Sequence, residues 1–153
     1  MVAQALDKKR VYEWLSNVPD PEIPVLSILD LGIVRDVEVD EGVTVTLTPT
    51  YSGCPATEAI ETSVLEALKG HGINEIEIRR TLSPPWTTDW ITEEGREKLR
   101  QYGIAPPSKR PEIACPRCES LSTELVSEFG STACKASWRC TECLEPFEYF
   151  KCL

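Results

Sequence analysis

The chain has no apolar run near the roughly 18 to 20 residues that a membrane span requires. Its first residues, MVAQALDKKRVYEWL, place their charges after the first apolar residues rather than before an apolar stretch. Neither a membrane protein nor a secreted precursor is expected, and the chain reads as cytoplasmic. Positive charge is also scarce: 16 Lys and Arg against 25 Asp and Glu leave a formal charge of −9, which repels a phosphate backbone. The one basic triple, Lys8-Lys9-Arg10, reads as the solvated face of a first helix, so nucleic acid is not an expected partner. His71 is the only histidine, flanked by Gly70 and Gly72, and reads as a helix-end residue, which removes the base a Cys-His hydrolase needs. No Gly-rich phosphate loop, dinucleotide fingerprint or HExxH pattern occurs. Chemistry by a soluble organic cofactor therefore has no support, and no catalytic residue is assigned.

What is present is a foldable chain. Its 153 residues, 41% hydrophobic and 27% charged, lie near globular averages and suit a domain of about 100 residues with a small appendage. Cysteine marks the division: Cys54 stands alone in the first 111 residues, and Cys115, Cys118, Cys134, Cys140, Cys143 and Cys152 crowd the last 42. Just before the crowding lies APPSKRP at 105–111, whose prolines fix φ and lack amide donors, so it reads as a semi-rigid spacer. The expected organisation is a domain over 1–104, a Pro-rich linker over 105–111 and a four-cysteine module over 112–153.

In the first part, Leu6, Val11, Trp14, Leu15 and Val18 share one helical face, and DPEIP at 20–24 breaks that helix. A short helical turn is expected at 27–32. Two alternating runs, 33–39 and 43–47, flank Asp40-Glu41-Gly42 and predict a β-hairpin. Pro55 opens a helix carrying Ala56, Ile60, Val64, Ala67 and Leu68 on one face. A third strand is predicted over 75–82. A last helix runs from the N-cap Thr92 to the C-cap Gly103. The expected class is α+β, a small mixed sheet covered by helices, followed by a small β module.

Cys115-Pro-Arg-Cys118 and Cys140-Thr-Glu-Cys143 are CxxC pairs separated by 21 residues, the spacing of a four-cysteine zinc ribbon. Each pair presents two thiolates from a tight knuckle, and a structural zinc would hold a module too small for a large core. Cys134 and Cys152 fall on neighbouring strands of the predicted hairpin. They read either as small buried hydrophobes or as additional ligands that let the module carry an iron-sulfur cluster.

Cys54 sits at a strand end, after Gly53 and before Pro55, where helix-end amides favour a thiolate that binds metal or attacks an electrophile. Simple packing of a capping cysteine is the alternative. Asp20 and Glu22, and the hydroxyls of Thr48, Thr50 and Ser52, can converge on the same loop. One cysteine with one acid is too few ligands for a complete metal site, which points to a shared one, completed by a second protomer in a homodimer, by a client protein or by the ribbon. Trp86 and Trp90, in SPPWTTDW at 83–90, are either core residues or a partner-binding edge.

DPEIPVLSILDLGIV at 20–34, TPTYSGCPATEAIE at 48–61 and SPPWTTDWITEEGREKL at 83–99 resemble the SufT-like domain of iron-sulfur assembly proteins. The continuation CPRC, FGSTACKA, RCTEC and EPFEYFKC resembles the PaaD family, small proteins that accompany the phenylacetyl-CoA epoxidase of aerobic phenylacetate catabolism. This resemblance covers nearly the whole chain. It implies an accessory protein without catalysis of its own: an iron or iron-sulfur maturation factor for a multicomponent di-iron oxygenase that epoxidises an aromatic ring, acting on its iron-sulfur reductase. The other role it allows is a non-catalytic structural subunit of the epoxidase. The resemblance assigns a transient cluster or iron to Cys54 with Asp20 and Glu22 nearby, and zinc to Cys115, Cys118, Cys140 and Cys143.

Overall fold

Asp7 opens the first helix, its carboxylate accepting the backbone N–H of Arg10 at 2.8 Å, an N-cap that satisfies one of the first-turn donors. The computed structural model describes residues 6–50 and 56–151. Helix α1 (Lys8–Leu15) buries Val11 and Leu15 and packs on a strand at Val34–Val39 and a helix at Ala56–Gly70. Strands β1 (Val34–Val39) and β2 (Val43–Leu47) form the expected hairpin, with Val37 opposite Val45. Helix α2 (Ala56–Gly70) presents Ala56, Ile60, Val64 and Leu68 to the interior, and it carries the chain to β3 (Ile76–Arg80), parallel to β2. The sheet order is β1-β2-β3. Val11, Leu15, Ile28, Val37, Val45, Val64 and Leu68 have no exposed surface, and each such side chain contributes about 1.5 to 3 kcal/mol of burial.

Strand β3 is shorter than the predicted 75–82. Its pairing with β2 ends at Arg80 opposite Leu47, Thr81 donates to the Leu47 carbonyl at 2.9 Å, and Thr81 and Ser83 then turn the chain through mutual hydrogen bonds into a cis Ser83-Pro84 bond. Leu82, inside the predicted strand, is 60% exposed.

The chain divides between Thr92 and Glu93, earlier than the predicted boundary at 104, because the residues after Thr92 pack with the cysteine module. Helix α3 (Glu93–Tyr102) ends at Gly103, φ +91°, a left-handed position suited to glycine. Strand β4 (Ile104–Ala105) then pairs in parallel with β7 (Pro146–Phe150). The proline segment is therefore not a spacer: Pro107 is buried, its carbonyl accepts from Arg96 at 2.8 Å, and Ser108 exchanges hydrogen bonds with the Tyr149 hydroxyl. With β5 (Thr123–Ser127) and β6 (Lys135–Cys140), the sheet order is β4-β7-β6-β5. One cluster of its core is Ala105, Ile113, Cys115, Cys140, Phe147 and Tyr149, with Trp138 packed against them; Leu99, Ile104, Cys134, Ala136 and Phe150 are buried as well. Glu148 accepts from the backbone and hydroxyl of Ser131 and pairs with buried Lys135 at 3.7 Å, which accounts for the FGSTACKA segment as a loop folded around one carboxylate.

Candidate metal centre and the cysteine loop

The two CxxC segments fold alike. Cys115 N–H donates to the Ser120 carbonyl at 2.9 Å and Cys140 N–H to that of Glu145 at 3.0 Å, the same five-residue closure in both. Glu119 and Leu144, each following the second cysteine of its pair, stand at φ +63° and +66°. Thr141 locks one knuckle to the other strand by donating its N–H and hydroxyl to the Ser122 carbonyl, at 2.8 and 2.7 Å. The four sulfurs lie within 4.8 Å of one another, with Cys115 and Cys143 at 3.7 Å and Cys118 and Cys140 at 3.5 Å. A tetrahedron with metal–sulfur bonds of about 2.3 Å has edges of about 3.8 Å, so the thiols stand where zinc needs them.

Their acidity agrees with a cation site. The backbone N–H of Cys143, aimed at the Cys140 sulfur, draws that thiol down to about 7. At Cys118 the Ser120 N–H also favours the thiolate, but burial and the other three thiols outweigh it and push the thiol up to about 12. Four thiols this close cannot ionise together without a counter-charge, and a dication supplies it. The soft four-sulfur donor set fits a structural zinc site. Zinc bound there would hold the two knuckles together and add folding free energy to the unit.

Cys134 is not part of this group. It lies just before β6 and Cys140 ends it, so the two are six residue steps apart along the strand, about 20 Å at roughly 3.3 Å each. Its buried sulfur lies 3.0 Å from the Thr132 hydroxyl, as a small buried residue apart from the tetrathiol site. Cys152, the other proposed extra ligand, lies outside the described residues, as does Cys54.

The flanks of the Cys54 loop are described. Thr48 directly follows β2, its N–H donating to the Ile33 carbonyl at 2.9 Å. Its side chain is fully buried and its hydroxyl has no hydrogen-bond partner among the described residues. Thr50 is half-buried. Asp20 is buried, and one carboxylate oxygen accepts the N–H groups of Glu22 and Ile23 at 2.9 and 2.7 Å, an Asx turn. The Asp20 N–H bonds the Leu26 carbonyl and the Ile28 N–H that of Val18, closing the 20–26 loop at its neck. Glu22 is half-buried. Among the described residues, neither acid joins a group of three metal-ligating side chains.

A second buried carboxylate escaped the reading of the sequence. Asp30 accepts the Ser27 N–H while the Ser27 hydroxyl accepts that of Asp30, both at 3.0 Å, a reciprocal capping box whose S-x-x-D spacing is visible in the chain. The turn it opens ends at Gly32, φ +73°, where the N–H of Ile33 reaches Ile28 and that of Gly32 reaches Leu29, a Schellman closure.

Trp86 and Trp90 lie over this turn. Trp86 is 5% exposed and its indole N–H donates to the Leu31 carbonyl at 2.7 Å. It is a core residue, which corrects its assignment to a partner-binding edge: an indole in a polar loop found a buried carbonyl to satisfy. Trp90 is half-buried, with the Arg35 guanidinium 3.8 Å from its ring centroid. A Cβ on Gly32 would come within 2.6 Å of the Trp90 carbonyl oxygen. His71 turns the chain after α2 as expected, and stacks on Trp14 with ring centroids 4.2 Å apart.

The two parts of the chain define a class: an iron-sulfur cluster assembly protein domain, matching residues 8–78, followed by a zinc β ribbon. The ribbon match is specific, to the PaaD zinc beta ribbon domain over residues 101–151. A protein of Escherichia coli (strain K12), provisionally named as a subunit of 1,2-phenylacetyl-CoA epoxidase, is 52% identical over 94% of this chain and 92% of its own length. The chain belongs to the PaaD family. The first domain alone is similar to an Fe-S protein maturation auxiliary factor of Porphyromonas gingivalis, 38% identical over 58% of this chain and 87% of that protein. Its fold matches the crystal structure of a domain of unknown function from Bacillus anthracis, with a TM-score of 0.57 and 32% identity over 60% of this chain and 90% of that one. Among the described residues no helix is long and apolar enough to cross a membrane.

Proposed function

We propose that this protein matures the phenylacetyl-CoA epoxidase of a phenylacetate-degrading system, carrying iron or an iron-sulfur cluster to its reductase component. Cys54 is the cargo-binding thiolate, Asp20, Glu22 and Thr50 are its polar neighbours, and the ribbon is a zinc-held module. The observation that carries the reading is the contrast between the two parts. The ribbon offers four converging thiols, whereas the first domain has Cys54 as its one cysteine and no described cluster of three ligands. A closed tetrathiol retains its metal, and an open, shared coordination sphere releases it, as delivery requires. The names of the relatives, one an epoxidase subunit and others maturation factors, support both halves of the proposal.

The test is to produce the epoxidase components with wild-type protein or with Cys54→Ala. The variant is expected to leave the oxygenase inactive while retaining its own zinc; a fully active oxygenase would sink the proposal. A second reading, a structural subunit, is favoured by the word subunit in the E. coli relative's name. It predicts co-purification with the oxygenase at fixed ratio and indifference to Cys54→Ala.

A further inference from the structure

The four thiols of the ribbon differ in exposure, and their contacts cross between the knuckles. Cys118 and Cys143 are exposed, whereas Cys115 and Cys140 are buried. The Cys118 sulfur meets that of Cys140 at 3.5 Å, and the Cys115 sulfur meets that of Cys143 at 3.7 Å. These two contacts use each thiol once, and each joins an exposed cysteine to a buried one on the other knuckle. An oxidant arriving from solvent therefore reaches a sulfur that already has a resolving thiol beside it.

Groups that need no metal also hold the knuckles face to face. Thr141 donates its N–H and hydroxyl to the Ser122 carbonyl, and Cys140 stands opposite Thr123 in the β5–β6 ladder. These bonds keep the cross-knuckle pairs opposed when one ligand is lost. The pairs are 22 and 28 positions apart in the chain, whereas the cysteines of one CxxC are three apart. Closing the longer stretches removes more freedom from the unfolded chain. Such bonds also tie one knuckle to the other, as a shared metal does and a bond within one CxxC does not.

We propose that the ribbon is a peroxide-sensitive switch in which Cys118–Cys140 and Cys115–Cys143 disulfides replace zinc as the clamp between the knuckles. Zinc ligands are thiolates, the form that peroxide oxidises. The exposed sulfur takes one oxygen of hydrogen peroxide as the O–O bond breaks, giving a sulfenic acid and, with one proton, water. The buried partner's thiolate attacks that sulfur; the S–S bond forms, and the sulfenic oxygen leaves with a second proton as water. For both pairs, four thiolates, two peroxides and four protons give two disulfides and four waters, and zinc is set free as the dication. The switch goes beyond the maturation role and does not depend on Cys54.

The zinc-loaded full chain is treated with hydrogen peroxide beside a chromophoric zinc indicator, its remaining thiols are blocked, and the disulfides are mapped by mass spectrometry. Cleavage after lysine, arginine and glutamate separates all four cysteines, because Arg117 lies between Cys115 and Cys118 and Glu142 between Cys140 and Cys143. The expected products are the Cys118 peptide joined to that of Cys140 and the Cys115 peptide joined to that of Cys143, with one zinc released for two peroxides consumed. In NMR spectra the oxidised, zinc-free chain is expected to keep the amide dispersion of residues 113–150 that the reduced, zinc-free chain loses, and a dithiol reductant with added zinc to restore the starting spectrum. Zinc retained in excess peroxide would overturn the proposal. So would disulfides within each CxxC, the pairing of Cys115 with Cys140, bonds to Cys54, Cys134 or Cys152 in place of those named, or sulfinic acids without disulfide. Client activation is not read, so failure here leaves the Cys54 test standing.

Discussion

At Trp86 one indole ties the loop before α3 to the turn that follows the Asp20 segment. Replacing Trp86 by Phe keeps much of the ring but strands the buried Leu31 carbonyl, a loss of about 1 to 3 kcal/mol. The midpoint of chemical unfolding should fall accordingly. Trp90→Phe, which gives up part of a stacking contact with Arg35, should cost under about 1 kcal/mol, and equal losses would contradict the distinction drawn between the two. Thr48 gives the opposite sign. Its buried hydroxyl has no partner among the described residues, and such a group costs about 1 to 3 kcal/mol, so Thr48→Val should leave stability unchanged or raise it. A clear drop in the unfolding midpoint would show that the hydroxyl is satisfied in the folded protein. The sequence displayed these residues but not their environments: tryptophan in a polar loop reads equally as anchor or as bait, and only the Leu31 carbonyl, 55 residues away in the chain, decides.

At the scale of elements, periodicity carried the reading well. The β1–β2 hairpin, the α2 stripe and the Gly103 cap were legible because each is set by neighbours in sequence. Strand β4 was not. Two residues among prolines carry no alternation to detect, and they became a strand only because β7 offers a parallel edge. The CxxC spacing announced the knuckles, yet not their strain. Glu119 and Leu144 adopt left-handed backbone angles, which cost a non-glycine residue about 1 to 2 kcal/mol. Leu144 buries little, so Leu144→Gly should stabilise the zinc-bound ribbon by about 1 kcal/mol and tighten zinc several-fold in a chelator competition. Weaker zinc binding by the variant would mean the leucine makes a contact worth more than the strain.

For the whole molecule, the division at Thr92 and the uneven placement of cysteine predict unequal dependence on metal. The first unit has an aliphatic core without described metal ligands, while the core of the second includes two of the four thiols. Chelation should release one zinc per chain and unfold the second unit, seen as loss of amide dispersion for residues 113–150, while amides of the first unit keep their positions. Simultaneous loss of both would show that the units fold as one. The organisation into two parts was legible from cysteine counts alone, but the boundary was not, because α3 looks like any amphipathic helix and its allegiance is set by packing.

Cys54 is proposed to hold cargo for the epoxidase reductase. The most direct measurement is the iron and acid-labile sulfide content of that reductase, isolated without oxygen from cells producing either wild-type protein or Cys54→Ala. The reductase is expected to be filled with cluster beside the wild type and largely empty beside the variant, with both forms of this protein retaining one zinc. A reductase equally filled in both would contradict it and leave the protein as a structural subunit.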